Sequence, residues 1–332
     1  MNRKWITFLL TILITAALVT TGCGSDKKTA TEQDNSKTKT ERIYRIGYWG
    51  GTCEAPIFAA YENKVAEKLG IKVELVLMAS KNTAEMLSTG KVDAVLSSPG
   101  SFKGIEQGMD LVLINTAHTG CIQASAPINS PINSAADLKG KRVGVDAMGG
   151  PFMAYISNEL KQHGIDPKTE VEWKVYPPPQ LQTAMDKGEI DCFGTWDPFP
   201  QIPVNEGKAK IIWSNTTMSP YKDYTCCFVG VTGKVVREEP EAAKNIQAFF
   251  QAGGELCKTQ PDEVARMMVE KKYTGGTPAL NVQLIKAYQW FSDPARGLKD
   301  WNWHVKVFKD VGIFDASTNP EELIKKSYKI LQ

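Results

Sequence analysis

The chain has 332 residues, of which 42% are hydrophobic and 23% charged, which suits one large or two medium globular domains. Its formal net charge is only +2, from 39 basic and 37 acidic side chains. A chain without a basic excess lacks the electrostatic footprint of a nucleic-acid-binding protein, so we predict no nucleic-acid partner.

The N-terminus has the pattern of an export signal. Arg3 and Lys4 precede an uncharged, mostly apolar run over residues 6–19, which is shorter than the ~20 apolar residues of a membrane-spanning helix. The following Gly22-Cys23 resembles a bacterial lipobox, whose cysteine receives a lipid. We therefore predict a lipoprotein signal peptide over 1–22, lipidation at Cys23 and an extracytoplasmic protein anchored to the bacterial cell membrane. An ordinary cleaved signal and an uncleaved anchor are the alternatives.

The segment after Cys23 contrasts with the rest of the chain. Residues 24–42 contain no large apolar side chain and cannot bury enough surface to order themselves. We predict a disordered tether over 23–42.

Strand and helix patterns then alternate along the chain. The first block predicts strands over 43–49, 72–78, 92–96 and 111–116, with a helix over 55–69. A second block predicts strands over 142–145, 171–175 and 190–193 and helices over 152–163 and 180–187, and a strand over 225–231 returns to the first block. The segment from Pro240 onward has mostly helical periodicity. Such alternation predicts an α/β fold with mostly parallel sheets.

Four stretches carry a resemblance to a known family: IGYWGGTCEAPIFAAYE (46–62), EMLSTGKVDAVLSSPGSF (85–102), INSAADLKGKRVGV (132–145) and LQTAMDKGEIDCFGTWDPF (181–199). Together with the helical tail, their order resembles the nitrate/sulfonate/taurine-type solute-binding lipoproteins of ABC importers. That superfamily also includes binding proteins and synthases for the thiamine pyrimidine. The resemblance covers about residues 43–330.

The resemblance implies a two-lobed periplasmic-binding-protein type II fold with a two-strand hinge and a helical C-terminal tail. Lobe I would comprise 43–120 plus 225–332, and lobe II 121–224. The expected function is capture of a small solute between the lobes and delivery to an ABC permease and its ATPase. We expect a monomer without a cofactor, a metal or catalytic residues.

In open α/β folds, ligands lie at the C-terminal ends of the strands, where helix N-termini present free N–H groups. The strand-end loops here combine glycines, hydroxyls, aromatic rings and thiols. The candidate ligand-binding residues in these loops are Tyr48, Trp49, Gly51, Thr52, Cys53, Ser97, Ser98, His118, Cys121, Met148, Gly149, Gly150, Trp196, Asp197 and Cys226.

The charge of the solute stays open at this point. The family implies a small oxyanion, a sulfonate or a pyrimidine, yet the predicted cleft loops contain Glu54, Asp146 and Asp197 and no Lys or Arg. A zwitterion or a neutral heterocycle stacked on Trp49 or Trp196 is equally compatible.

Five of the six cysteines after Cys23 fall on or beside predicted cleft loops, while Cys257 lies on an apolar helical face. Disulfides, thiolates holding a soft metal, and free thiols are all open. We favour disulfides, with Cys53–Cys121 as the expected pair.

A minority hypothesis is an enzyme. The related pyrimidine synthases carry a longer cysteine cluster that binds iron, and Cys226-Cys227-Phe228 matches part of it. Thr225 and Val229 stand where the flanking cysteines would be. A cysteine- and metal-dependent synthase, or a binding protein for a thiamine-pyrimidine precursor, is therefore the alternative to the receptor.

Overall fold

The computed structural model of the protein describes residues 42–79 and 83–332. The predicted signal peptide, the lipidation site Cys23 and all but the last residue of the predicted tether lie outside the described residues. Within the described part of the chain, no helix has the length and apolar character needed to cross a membrane.

The described residues alternate strands with helices through Thr232 and are helical afterwards. The strands are β1 (Ile43–Tyr48), β2 (Lys72–Leu77), β3 (Ala94–Ser97), β4 (Leu111–His118), β5 (Ile122–Pro127), β6 (Arg142–Val145), β7 (Glu172–Val175), β8 (Cys192–Trp196), β9 (Ala209–Ser214) and β10 (Cys227–Thr232). The helices are α1 (Ala55–Glu62), α2 (Val65–Lys68), α3 (Thr83–Ser88), α4 (Phe102–Glu106), α5 (Pro151–Gln162), α6 (Pro178–Asp186), α7 (Gln201–Asn205), α8 (Gly233–Glu238), α9 (Pro240–Thr259), α10 (Pro261–Glu270), α11 (Pro278–Ala287), α12 (Pro294–Asp310) and α13 (Pro320–Ser327).

The strands form two five-stranded sheets of the same topology. The first sheet has the order β2-β1-β3-β10-β4 and the second β7-β6-β8-β5-β9. We call the part of the fold built on each sheet the first and the second lobe. This two-lobed arrangement confirms the predicted fold class. The boundaries predicted at 120/121 and 224/225 stay a proposal.

The prediction of mostly parallel sheets is confirmed in strand direction, but each sheet is mixed, because one of its five strands runs antiparallel to the rest. Strand β1 runs parallel to β2 and β3, and β6 runs parallel to β7 and β8. Strands β10 and β5 are antiparallel to both of their neighbours. These two strands enter their sheets from the other lobe rather than through a helical crossover, and a parallel neighbour would require such a crossover.

Two connections join the lobes, at 119–121 between β4 and β5 and at 215–226 between β9 and β10. They are the hinge of the molecule. The backbone of the first is held from both sides, since the N–H of Thr119 donates to the carbonyl of Gln289 and the carbonyl of Cys121 accepts from Asp197.

The helical tail covers the first lobe with aromatic side chains, as its pattern predicts. Trp301 and Phe308 are fully buried, and the Trp301 ring lies 4.4 Å from that of Phe102. The indole N–H of Trp301 donates to Ser327, so the buried ring keeps a partner for its polar atom.

Helices α9 and α1 approach each other so closely that one position admits only glycine. A Cβ atom on Gly253 would lie 1.9 Å from the carbonyl oxygen of Pro56, whereas a Cβ on Gly254 meets nothing within 4 Å. The two adjacent glycines therefore differ only in what surrounds them.

We expect Gly253→Ala to lower the free energy of unfolding by about 1–3 kcal/mol, because the added methyl forces backbone apart. The matched variant Gly254→Ala should raise it by about 0.5–1 kcal/mol, since alanine costs less backbone entropy in a helix. Urea denaturation of both variants measures the difference. Equal effects would show that α9 does not pack on α1 at this distance.

Candidate functional site

A cavity of about 200 Å³ lies between the two lobes. Its first-lobe wall and floor come from Trp49, Cys53, Glu54, Thr83, Ala84, Leu96, Ser98, Gly100, Ser101, Gly104, Met109 and Cys227, and its second-lobe wall from Asp146, Ala147, Gly150, Pro151 and Trp196, with Cys121 and Ile122 at the hinge. Among the described residues the lining contains no Lys or Arg. The volume is smaller than the ~300–1,000 Å³ typical of drug-sized ligands, which favours a small solute.

The glycine-rich loop after β1 crosses to the second lobe. The N–H of Thr52 donates to the carbonyl of Asp197 at 2.9 Å, and a Cβ on Gly51 would lie 2.9 Å from Cδ1 of Trp196. Gly50 has a left-handed backbone with φ +83°, which glycine adopts without a steric penalty. These glycines let the loop pass directly beside the Trp196 ring.

Trp196 ends β8 and presents one side to the cavity. Its indole Nε1 is buried and has no hydrogen-bond partner within the described part of the chain. A buried donor without a partner is costly, and because this residue lines the cavity, a solute acceptor could satisfy it.

Glu54 is held in place by backbone donors. Its carboxylate accepts hydrogen bonds from the N–H groups of Trp49 and Gly51 at 2.8–3.0 Å. Burial raises the pKa of Glu54 to about 8, although these backbone hydrogen bonds oppose the shift. The carboxyl thus fixes the conformation of the loop. With this raised pKa, it is largely protonated at neutral pH and faces the cavity in its neutral form.

Asp146 follows β6 and differs from Glu54 in its partners. Its Oδ1 is buried and, among the described residues, unpartnered, as is the hydroxyl oxygen of Thr195. Burial raises the pKa of Asp146 to about 7, although the neighbouring Thr195 hydroxyl and the backbone N–H of Asp146 itself oppose the shift. A solute that donates a hydrogen bond or carries a positive charge would satisfy this oxygen and favour its ionised form.

Asp197, by contrast, is occupied by the protein itself. Gln123 Nε2 donates to both of its carboxylate oxygens at 2.9–3.0 Å, and the Tyr288 hydroxyl donates to Oδ2 at 2.7 Å. Burial raises its pKa to about 7. Because Tyr288 follows α11 in the helical tail, this carboxyl ties the second lobe to the tail rather than facing the cavity.

The structure places the fifteen candidate residues in two groups. Trp49, Cys53, Ser98, Cys121, Gly150 and Trp196 line the cavity. The others stand behind its wall or away from it: Tyr48, Gly51, Thr52, Ser97, His118, Met148, Gly149, Asp197 and Cys226. Thr52 donates its hydroxyl to Asn281, Ser97 and Ser101 share a hydrogen bond, and Met148 is 61% exposed.

Behind the cavity floor, Cys53, His118, Cys121 and Cys227 converge, with donor atoms all within 4.8 Å of one another. We call these four residues the thiol cluster. All four are buried. Hydrogen bonding with the Cys121 and Cys227 thiols lowers the pKa of the Cys53 thiol.

The favoured disulfide is not present in the structure. The expected partners Cys53 and Cys121 are near each other, but both are free thiols, as are Cys192, Cys226, Cys227 and Cys257. The Cys53–Cys121 bond stays a prediction that a mass measurement can test.

Sequence reasoning missed several lining residues as candidates, above all Asp146, Ser101, Pro151 and Cys227. Asp146 was visible as an acid in a strand-end loop, but its unpartnered oxygen is a consequence of burial. Met109 and Leu96 carry no polar signal, so no sequence pattern could assign them to the cavity.

Solved structures share this fold. The alkanesulfonate-binding protein SsuA of Xanthomonas axonopodis pv. citri, bound to MOPS, superposes with a TM-score of 0.74 at 16% identity, covering 87% of this chain and 99% of that one. The periplasmic nitrate-binding protein NrtA of Synechocystis PCC 6803 gives a TM-score of 0.73 at 16% identity, with coverage of 87% and 86%.

Sequence comparison points the same way. An Escherichia coli protein named for binding aliphatic sulfonates is 22% identical over 244 residues, which is 71% of this chain and 72% of the relative. All three of these relatives are named as solute-binding proteins. The NMT1-like family model matches residues 37–271, more than half of the sequence, and the chain therefore belongs to the NMT1-like family.

Proposed function

We propose that this protein is the extracytoplasmic solute-binding component of an ABC importer. The observation that carries the proposal is the cavity between the lobes, whose walls come from both of them. A solute there touches Trp49 and Ser98 on one side and Asp146 and Trp196 on the other. It gains these contacts together only when the lobes are closed, so it shifts the population toward the closed state.

The unpartnered atoms of the cavity define the class of solute. Asp146 Oδ1 requires a donor or a cation, and Trp196 Nε1 requires an acceptor. With Glu54 close by and no described Lys or Arg in the lining, a free anion such as nitrate gains little here. The solute is a small zwitterion, such as an aminosulfonate of the taurine type, or a neutral polar heterocycle.

The location of the protein and its partners follow from the same function. The chain is a monomeric lipoprotein, attached through Cys23 and exposed outside the cell membrane, and it hands its solute to a permease with an attached ATPase. It is not an enzyme. The export-signal pattern supports the lipid anchor and the location outside the membrane, and the relatives, which are named as binding proteins, support solute binding rather than catalysis.

A thermal-shift panel tests the solute class on the full chain. The probes are taurine and the thiamine pyrimidine, 4-amino-5-hydroxymethyl-2-methylpyrimidine. We expect at least one of the two to raise the melting temperature. A ligand present at about 100 times its Kd adds about 2.7 kcal/mol to the free energy of unfolding. Nitrate and methanesulfonate should give smaller shifts.

Small-angle scattering tests whether the protein closes on a ligand, independently of which solute class the ligand belongs to. A stabilising ligand should make the protein more compact and should be recovered chemically unchanged. Stronger stabilisation by nitrate would contradict the solute class and keep the receptor. Conversion of the ligand to a product would instead support the synthase alternative.

A further inference from the structure

Solute capture as proposed above does not require the thiol cluster. Its members come from three separate places: Cys53 from the loop after β1, His118 and Cys121 from the end of β4 and the first hinge connection, and Cys227 from the start of β10. Such convergence of three thiols and an imidazole in a buried position is the donor set of a thiophilic metal.

His118 supplies the most direct observation. Its Nδ1 lies 3.1 Å from the carbonyl oxygen of Thr119, and since a carbonyl only accepts, Nδ1 carries the proton. Nε2 is then left with a lone pair, and this buried atom has no hydrogen-bond partner within the described part of the chain. A histidine that ligates a metal through one nitrogen and donates to a backbone carbonyl through the other has this arrangement.

The imidazole is also fixed in orientation. Its ring stacks on Tyr288 with centroids 5.3 Å apart and packs against Trp290 at 4.9 Å. The side chain is 0% exposed, so water does not reach Nε2. The ring is thus held toward the sulfurs, with the Cys53 thiol as a neighbour of the imidazole.

One sulfur–sulfur distance in the cluster matches a tetrahedral centre. Thiolates bound at about 2.3 Å to one metal with tetrahedral angles lie roughly 3.8 Å from each other. The Sγ atoms of Cys121 and Cys227 are 4.0 Å apart. Cys226 lies outside the cluster, 3.4 Å from Cys121, and its sulfur accepts a hydrogen bond from Asn215 Nδ2.

Cys121 also has an unusual backbone. Its φ is +88°, a left-handed value that side chains other than Gly, Asn and Asp rarely adopt. The surrounding hinge holds this conformation, because the Cys121 carbonyl accepts from the N–H of Asp197 and the His118 carbonyl accepts from Cys226. Such retained strain is typical of functional positions.

Charge and access narrow the choice of metal. Three thiolates leave one net negative charge around a divalent ion and two around a monovalent ion. The described lining residues include carboxyls but no Lys or Arg to compensate, which favours the divalent ion. Cys53, Cys121 and Cys227 line the cavity, so a metal has an entry path.

We propose that Cys53, His118, Cys121 and Cys227 bind one Zn²⁺ ion at the floor of the cleft. Four protein ligands close the coordination shell, so the ion is structural rather than catalytic. It joins the loop after β1, the hinge and the first residue of β10. This site does not depend on which solute the cavity takes.

The test is metal analysis of the full chain, purified without chelator and handled without oxygen. We expect about one zinc per chain, and a rise in the melting temperature when Zn²⁺ is added back to the stripped protein. Co²⁺ in place of zinc should give the thiolate charge-transfer and intense visible bands of a tetrahedral sulfur site. This spectrum is read on the unmodified sequence and does not depend on whether a variant folds.

Variants then assign the ligands. Cys121→Ala and His118→Ala should each lower the affinity for zinc by about tenfold or more. Cys257→Ala is the matched control, because Cys257 is an equally buried free thiol outside the cluster, and it should keep the metal. Absence of metal with a mass lower by two hydrogens per disulfide would overturn the site, as would free thiols that give no cobalt spectrum. Copper(I) at one per chain would overturn the assignment to zinc.

Discussion

Trp196→Ala should weaken solute binding by more than about tenfold, an effect of more than about 1.4 kcal/mol. The truncation removes a ring from the cavity wall and removes the Nε1 donor that has no described partner within the protein. It also leaves space beside Gly51, where the loop after β1 crosses to the second lobe. Isothermal calorimetry with the solute that stabilises the protein measures the loss.

Two further variants separate the contributions of the ring and the N–H group. Trp196→Phe keeps an aromatic wall without the donor and should lose about two- to tenfold, the range of a single hydrogen bond. Trp173→Ala is the control, because Trp173 is a half-buried tryptophan of the same sheet that is absent from the lining and donates its Nε1 to Pro167. Unchanged affinity in Trp196→Ala would remove this residue from the solute site.

Asp146→Asn should change binding and stability in opposite directions. The free Asp146 Oδ1 favours a donor or a cation on the solute. Neutralising the carboxyl should weaken binding of a zwitterion by about tenfold or more, whereas a neutral heterocycle should lose less because the asparagine oxygen still accepts a hydrogen bond. The same change removes a carboxyl that is buried without a full set of partners, so it should stabilise the unliganded protein at neutral pH.

The pH dependence identifies the cause of that gain. Burial raises the pKa of Asp146 to about 7, whereas in the unfolded chain it is about 3.9. Between these values the folded state binds the extra proton, so this group's contribution to stability falls as pH rises. Asp146→Asn should therefore match the parent near pH 4 and exceed it by about 1–3 kcal/mol above pH 7.

Asp191→Asn serves as the control of opposite sign. A hydrogen-bonded ion pair with Arg142 at 2.6 Å lowers the pKa of Asp191, so its ionised form stabilises the folded protein. This variant should lose about 1 kcal/mol at neutral pH and keep its solute affinity. A stability difference for Asp146→Asn that does not vary with pH would contradict the assignment of a raised pKa.

Local patterns determined much of the architecture. The strands at 43–48, 72–77, 111–118 and 142–145 and the helix at 151–162 agree with the predicted segments to within two residues, because each couples an apolar run to a clear Gly or Pro boundary. Strands β5 and β9 escaped prediction. Both pair antiparallel in the second sheet, and the polar and small residues of β5 give no local apolar run. Its place in the sheet follows from the hinge connection instead.

The predicted helix over 55–69 is divided in the structure. Helix α1 ends at Glu62 and α2 begins at Val65, because Lys64 adopts a left-handed backbone with φ 55°. The apolar periodicity continues through this break, so the sequence pattern alone does not reveal it.

The site shows the same division between local and tertiary information. The sequence by itself identified the strand-end loops, and with them the lining residues Trp49, Ser98, Gly150 and Trp196. A loop is a run of consecutive residues, so its glycines, hydroxyls and aromatic side chains can be read directly from the sequence. Only the tertiary structure decided which polar atoms lack a partner and which cysteines meet. Burial left Asp146 in the cavity lining with an unpartnered oxygen, and hydrogen bonding made Asp197 a tie to Tyr288. His118 and Cys227 stand 109 positions apart in the chain, yet they join one cluster, because β10 returns beside β4 and no local pattern records that pairing.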